Sequence, residues 1–162
     1  VVACMARLRR EGLDRLFLLL VGAGEDLDRV RRCAHDNAAI LDGWFQCTGR
    51  WLPLDQMPSF LAAFDVGIFP YSNPYGSPQK IYEYLACGLP VLGPDVPAVN
   101  TQIDRRHLPF LVHQDGSNFA EHVRRIYDEL EQVKVQAMEG RRYVADHFTW
   151  GHNLERILDL IR

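Results

Sequence analysis

Short, unbroken apolar runs alternate with amphipathic stretches along this chain, and that alternation restricts the fold more than any other feature. Phe17–Val21 reads FLLLV and runs into Gly22-Ala23-Gly24, the pattern of a buried strand entering a tight turn. Trp44–Cys47 gives a second strand that ends at Thr48-Gly49, and Val66–Phe69 a third. A fourth begins at Pro90–Leu92 directly after Gly88, and Phe110–Val112 supplies a fifth. Helical spacing fills the intervals at Val1–Leu13, Asp26–Ala38, Pro53–Phe64 and Pro78–Cys87. Three more helical stretches close the chain, at Asn118–Glu131, Lys134–His147 and Trp150–Ile161. Gly93–His107 has no clear period. Strands alternating with helices predict βαβ units and a mostly parallel sheet, with right-handed crossovers placing helices on both faces.

Length and charge narrow the class. A chain of 162 residues with 48% hydrophobic and 24% charged residues suits one domain, residues 1–162, with a substantial core. The net charge of −3 argues against a nucleic-acid partner, which usually selects a basic face. Cys4, Cys33, Cys47 and Cys87 form no CxxC pair and read as small core residues in a reducing compartment, hence a cytoplasmic location. No apolar stretch is long enough to span a bilayer. The opening VVACMARLRREGL reads as mid-helix, so the chain is expected to be a fragment.

Ligands of parallel α/β sheets sit at the carboxyl ends of the strands. Three loops qualify: Gly22–Glu25, Thr48–Leu52 and Tyr71–Ser77. The third leads into the strongest local pattern. Ser77 suits a helix N-cap and Pro78 the first helical position, which would leave free backbone N–H groups aimed outward as an anion site. Gly76 removes a side chain where a ligand would approach. Lys80 in the first turn opposes the helix dipole, and a phosphate partner would offset that. Glu83, one turn on, could accept hydrogen bonds from both hydroxyls of a ribose. The same residues also suit an ordinary helix start with a solvated Lys–Glu pair.

The segment SPQKIYEYLACGLPVLGPD resembles the donor-site signature of the group 1 (family 4-like) GT-B glycosyltransferases. LLLVGAGEDLDRV, CTGRWLPLDQMPSFLAAFDVGIFPY and the closing DHFTWGHNLERILDLI are similar to other segments of that family, so the resemblance covers nearly the whole chain apart from Gly93–His113. It implies a Rossmann-like, doubly wound parallel sheet forming the donor-binding half of a GT-B fold. It implies that Glu83 binds the donor ribose, that Gly76, Ser77, Pro78 and the following N–H groups hold the diphosphate with Lys80 close by, and that Thr48–Trp51 holds the base. Arg50 and Trp51 fall in that loop, with a surface cation and a core aromatic as the competing readings. Gly22 and Gly24 would line the cleft floor or simply make a strand–helix turn.

Two positions depart from the family pattern. Tyr75 stands where many relatives carry a sugar-contacting glutamate, so Tyr75 either borders the donor or packs away from it. The family's Arg and Lys that neutralise the leaving diphosphate would lie before Val1, so the catalytic residues are unknown. The resemblance implies a UDP- or GDP-sugar substrate, no cofactor, no metal, retention of configuration and a role in polysaccharide biosynthesis. It further implies an amino-terminal acceptor domain outside this chain, through which the enzyme could associate with the inner face of a membrane. This chain alone is then expected to be inactive. The competing classes are a non-catalytic nucleotide-sugar-binding module and a sugar-nucleotide epimerase of the same shape. A dinucleotide-dependent dehydrogenase fits poorly, because the third glycine of GxGxxG would fall at Leu27.

Overall fold

The computed structural model describes residues 1–76 and 78–161. It is a mixed α/β structure of short parallel strands with helices around them. The chain divides into two compact units, one spanning Val1–Met57 and the other running from Pro58 onward.

The first unit contains α1 (Val2–Arg10), β1 (Leu18–Leu20), α2 (Leu27–Asp36) and β2 (Phe45–Cys47). β1 and β2 pair in parallel, with Leu18 opposite Phe45 and Leu20 opposite Cys47. Val2, Met5 and Ala6 of α1 pack with Ala34 of α2, with Ala39, and with Trp44 and Phe45. The apolar stripe that predicts α2 is thus used at Val30 and Ala34. The expectation of a fully buried β1 is not met. Leu18 and Leu19 are half-buried and Leu20 is 36% exposed. The strand has a single paired neighbour among the described residues and ends one residue before the turn at Gly22.

The second unit contains α3 (Met57–Leu61, which begins at its boundary), β3 (Gly67–Ile68), α4 (Gln79–Ala86), β4 (Val91–Pro94), α5 (Pro97–Asn100), β5 (Phe110–Val112), α6 (Phe119–Asp128), α7 (Leu130–His147) and α8 (Trp150–Leu160). Its strands form one parallel sheet in the order β3-β4-β5. Central β4 and edge β5 are buried at every residue, as continuous apolar runs require. Ile81 and Leu85 of α4 join Val91, Val96, Val99, Ile103, Leu108 and Leu111 in the core. α4 lies so close to β3 that a Cβ on Gly67 would overlap the Tyr84 ring. On its other flank, a Cβ on Gly140 of α7 would stand 3.0 Å from Leu85.

The end of α4 explains how helix passes into strand. Gly88 has φ +73, its N–H donates to the Leu85 carbonyl at 2.8 Å, and the Leu89 N–H donates to the Tyr84 carbonyl at 3.0 Å. These two bonds form a Schellman motif, and the glycine supplies the left-handed residue it needs. Pro90 then prevents the helix from continuing, and β4 starts at the next residue. α8 opens on a reciprocal cap: the Thr149 hydroxyl accepts from the His152 N–H at 3.3 Å, and His152 Nδ1 accepts from the Thr149 N–H at 3.3 Å.

Two stretches depart from the sequence expectation. The helix expected over Pro53–Phe64 shortens to Met57–Leu61, because Pro53–Gln56 forms a turn closed by the Gln56 N–H on the Pro53 carbonyl. The aperiodic stretch after β4 holds the short helix α5, with Pro97 in its first turn. Val96, Val99, Ile103 and Leu108 bury that segment in the core.

Candidate functional site

In the second unit the candidate residues gather at the front of α4. The helix starts at Gln79, with Pro78 at the N-cap in an extended conformation, φ −76 and ψ 106. This corrects the expectation that Pro78 occupies the first helical position. The pyrrolidine ring accepts this φ, but the extended ψ keeps Pro78 outside the helix. Ser77, the expected cap, lies outside the described residues. Pro78 has no side-chain acceptor to offer, and no side-chain capping bond is formed by it. The Ile81 N–H already donates to the Pro78 carbonyl at 3.1 Å, so an anion at this end would meet the amides of Gln79 and Lys80.

Lys80 and Glu83 pair with each other. Lys80 Nζ donates to Glu83 Oε2 at 2.9 Å, with side chains 46% and 38% exposed. The cation in the first turn is therefore already offset by a carboxylate of its own helix, and needs no phosphate to explain it. At 100° per residue Glu83 projects from the side of α4 away from Ile81 and Leu85. A carboxylate has about four lone-pair sites, so one bond to Lys80 leaves acceptor capacity.

The loop before α4 is exposed at Tyr71 and Tyr75, and Tyr75 is 84% exposed, so it does not pack into the core. A Cβ on Gly76 would come within 2.5 Å of Asn73 Oδ1 and 2.7 Å of Ser72 Oγ. A side chain here would make the Asn73 and Ser72 side-chain ends swing aside. Asp65 and Asp95 have structural partners. Asp65 pairs with Lys134 of α7 at 2.5 Å, and this contact raises the Lys134 pKa. Asp95 accepts from Asn100 Nδ2 at 2.7 Å and lies 3.6 Å from Arg105.

In the first unit the loops after β1 and β2 leave the same end of a parallel pair. Gly22 has φ +135, and a Cβ on Gly22 or Gly24 would meet nothing within 4 Å. The Gly22 N–H donates to Thr48 Oγ1 at 3.0 Å, and the Thr48 hydroxyl donates to the Arg50 carbonyl at 3.2 Å. Arg50 is exposed, and Trp51 is 79% exposed, which removes the core-aromatic reading. Beside this loop Arg31 Nε donates to Cys47 Sγ at 3.4 Å, a contact that raises the Arg31 pKa. Sequence reading opens the base-holding loop at Thr48 without giving its hydroxyl a role, and does not mark Arg31. A hydroxyl residue followed by glycine at a strand end was the available signal for Thr48, and nothing local marked Arg31.

The cysteine expectation holds unevenly. All four are free; Cys4, Cys33 and Cys47 are half-buried, whereas Cys87 at the C-cap of α4 is exposed rather than a core residue.

The family model described as Glycosyl transferases group 1 matches residues 1–129. The chain belongs to that family. No curated protein matches it. The matched region contains both loops of the first unit and all of α4, so the group 1 glycosyltransferase assignment covers every candidate residue named above. The chemistry of this glycosyltransferase chain is glycosyl transfer, with a sugar donor and an acceptor. Among its described residues no helix is long and apolar enough to cross a membrane.

Proposed function

We propose that this chain is the donor-binding domain of a glycosyltransferase that uses a UDP- or GDP-sugar, retains anomeric configuration and requires no metal. The observation that carries the reading is the family match across residues 1–129, which includes the α4 segment with Lys80 and Glu83. In this reading the amides at the start of α4, with Gly76, Ser77 and Pro78 before them, hold the diphosphate. Glu83 binds the ribose hydroxyls, and Lys80 exchanges part of its contact with Glu83 for a phosphate oxygen. The loop Thr48–Trp51 of the first unit holds the base, with Gly22 and Gly24 in the neighbouring turn. Such groups stabilise charge that grows on the leaving nucleoside diphosphate as the glycosidic bond breaks.

Three features support these roles. Pro78 itself offers the helix-start amides no side-chain acceptor. Glu83 stands half-exposed on the face of α4 away from the core. Trp51 and Arg50 are held outward, where a base could stack or pair. An acceptor-binding domain outside this chain, a peripheral membrane association through it and a role in polysaccharide synthesis complete the proposal.

Titration calorimetry with UDP and with GDP tests the reading. Weak, saturable binding of one nucleotide to the chain is expected, insensitive to EDTA. No heat from either nucleotide at millimolar concentration refutes it.

A further inference from the structure

We propose that Thr48 is the positioning residue that ties the turn after β1 to the turn after β2, and that this tie sets the affinity of the first unit for the base of a nucleoside diphosphate. The assignment rests on the donor-binding reading above and deepens it.

β1 and β2 run in parallel, and their backbone pairing reaches its last bond where the Thr48 N–H donates to the Leu20 carbonyl at 3.0 Å. Beyond that point the backbones diverge. Gly22 turns away with φ +135, and Gly49 turns with φ +63. The Thr48 hydroxyl spans the opening. It accepts the Gly22 N–H at 3.0 Å and gives its own proton to the Arg50 carbonyl at 3.2 Å, with the Gly22 carbonyl at 3.5 Å as the longer alternative. Each capacity of one hydroxyl group therefore serves a different loop.

The same turn is braced from the outside. A Cβ on Gly49 would stand 2.6 Å from an Arg31 guanidinium nitrogen and 3.6 Å from Leu27 Cδ2, so α2 packs directly against the glycine. Arg31 is held there by Cys47 Sγ at 3.4 Å and by Asp28 at 3.9 Å. The backbone from Thr48 to Arg50 is thus bonded by a hydroxyl on one side, with a guanidinium packed beside Gly49 on the other. Loop backbone that is already ordered loses less conformational entropy when a ligand binds.

Amide NMR of the chain, titrated with UDP and with GDP, tests the assignment in three forms: wild type, Thr48→Val and Thr48→Ser. Valine keeps the shape and deletes the hydroxyl; serine keeps the hydroxyl. In the wild type, shifts in Gly22–Gly24 and Thr48–Trp51 should saturate together, and the Gly22 N–H should exchange slowly. Thr48→Val should weaken binding by about fivefold, the effect of one neutral hydrogen bond, and speed Gly22 exchange. Thr48→Ser should restore both. Unchanged affinity in Thr48→Val, a serine variant as weak as the valine one, or a fast-exchanging Gly22 amide in the wild type overturns the assignment alone. Wild-type protein whose two loops respond to neither nucleotide overturns the donor-site reading, and the assignment with it.

Discussion

Replacing Glu83 by alanine separates a ligand contact from a structural one. The side chain forms an ion pair with Lys80 at 2.9 Å, with both partners more than a third exposed. Exposed pairs of this kind contribute about 0.2–1 kcal/mol. Alanine recovers a few tenths of that, roughly, through its higher helix propensity. The net change in stability should therefore stay within about 0.5 kcal/mol, or about 2 °C in Tm for a chain of this size. A carboxylate that accepts ribose hydroxyls is a larger matter. Losing hydrogen bonds to a charged group costs about 1.5–3 kcal/mol, roughly a 10- to 150-fold loss of affinity. Calorimetry with UDP or GDP and a thermal melt on the same sample read both quantities. Glu83→Gln, which preserves shape and one acceptor, should fall between wild type and alanine in affinity. A drop of more than about 5 °C in Tm with unchanged nucleotide affinity would refute the reasoning and make Glu83 a structural residue.

Other sites give independent checks. Gly67→Ala forces a methyl against the Tyr84 ring, and overpacking of this sort costs about 1–3 kcal/mol; a circular-dichroism melt that matches wild type would contradict the tight β3–α4 packing. Thr149→Ala removes the cap of α8 and should cost about 1 kcal/mol, visible as faster amide exchange in the first turn of α8 with β4 unaffected. Burial raises the Tyr84 pKa, with the nearby Glu83 carboxylate adding to it. The folded state thus favours the neutral phenol. Its contribution to stability is intact below the unfolded value of about 10 and is lost as pH rises through the folded value. Phenolate absorbance should show a late-titrating group that is absent from Tyr84→Phe. Superimposable phenolate titrations of wild type and Tyr84→Phe above about pH 10, after scaling for the lost tyrosine, would exclude that.

Much of this architecture is written in local pattern. Phe110–Val112 and Trp150 onward are predicted almost to the residue, since an isolated apolar run and a helical period are self-contained signals. Helix α4 is also legible, because Gly88 and Pro90 mark its end whatever surrounds it. Its start is less so: whether a proline stands just inside or just outside a helix depends on ψ, which residue type does not determine. α5 is invisible to periodicity because four residues make barely one turn. At the candidate site, Lys80 and Glu83 are readable as helical neighbours, but the choice of Glu83 rather than an anion as the lysine's partner is not. The Gly22–Thr48 bond joins residues 26 apart and follows only from strand pairing, so no window along the chain contains it.

The junction at Gly88-Leu89-Pro90 leaves no slack between α4 and β4. With its rear end clamped to a buried strand and Ile81 and Leu85 seated beneath it, α4 behaves as a cantilever about 12 Å long, eight residues at 1.5 Å each. Its leading end carries Lys80. Extra residues inserted before Pro78 would lengthen only the approach to that end. One residue inserted between Cys87 and Val91 would instead displace the whole beam, shifting Lys80 and Glu83 together. Tolerance to insertion should therefore be sharply unequal on the two sides of this helix.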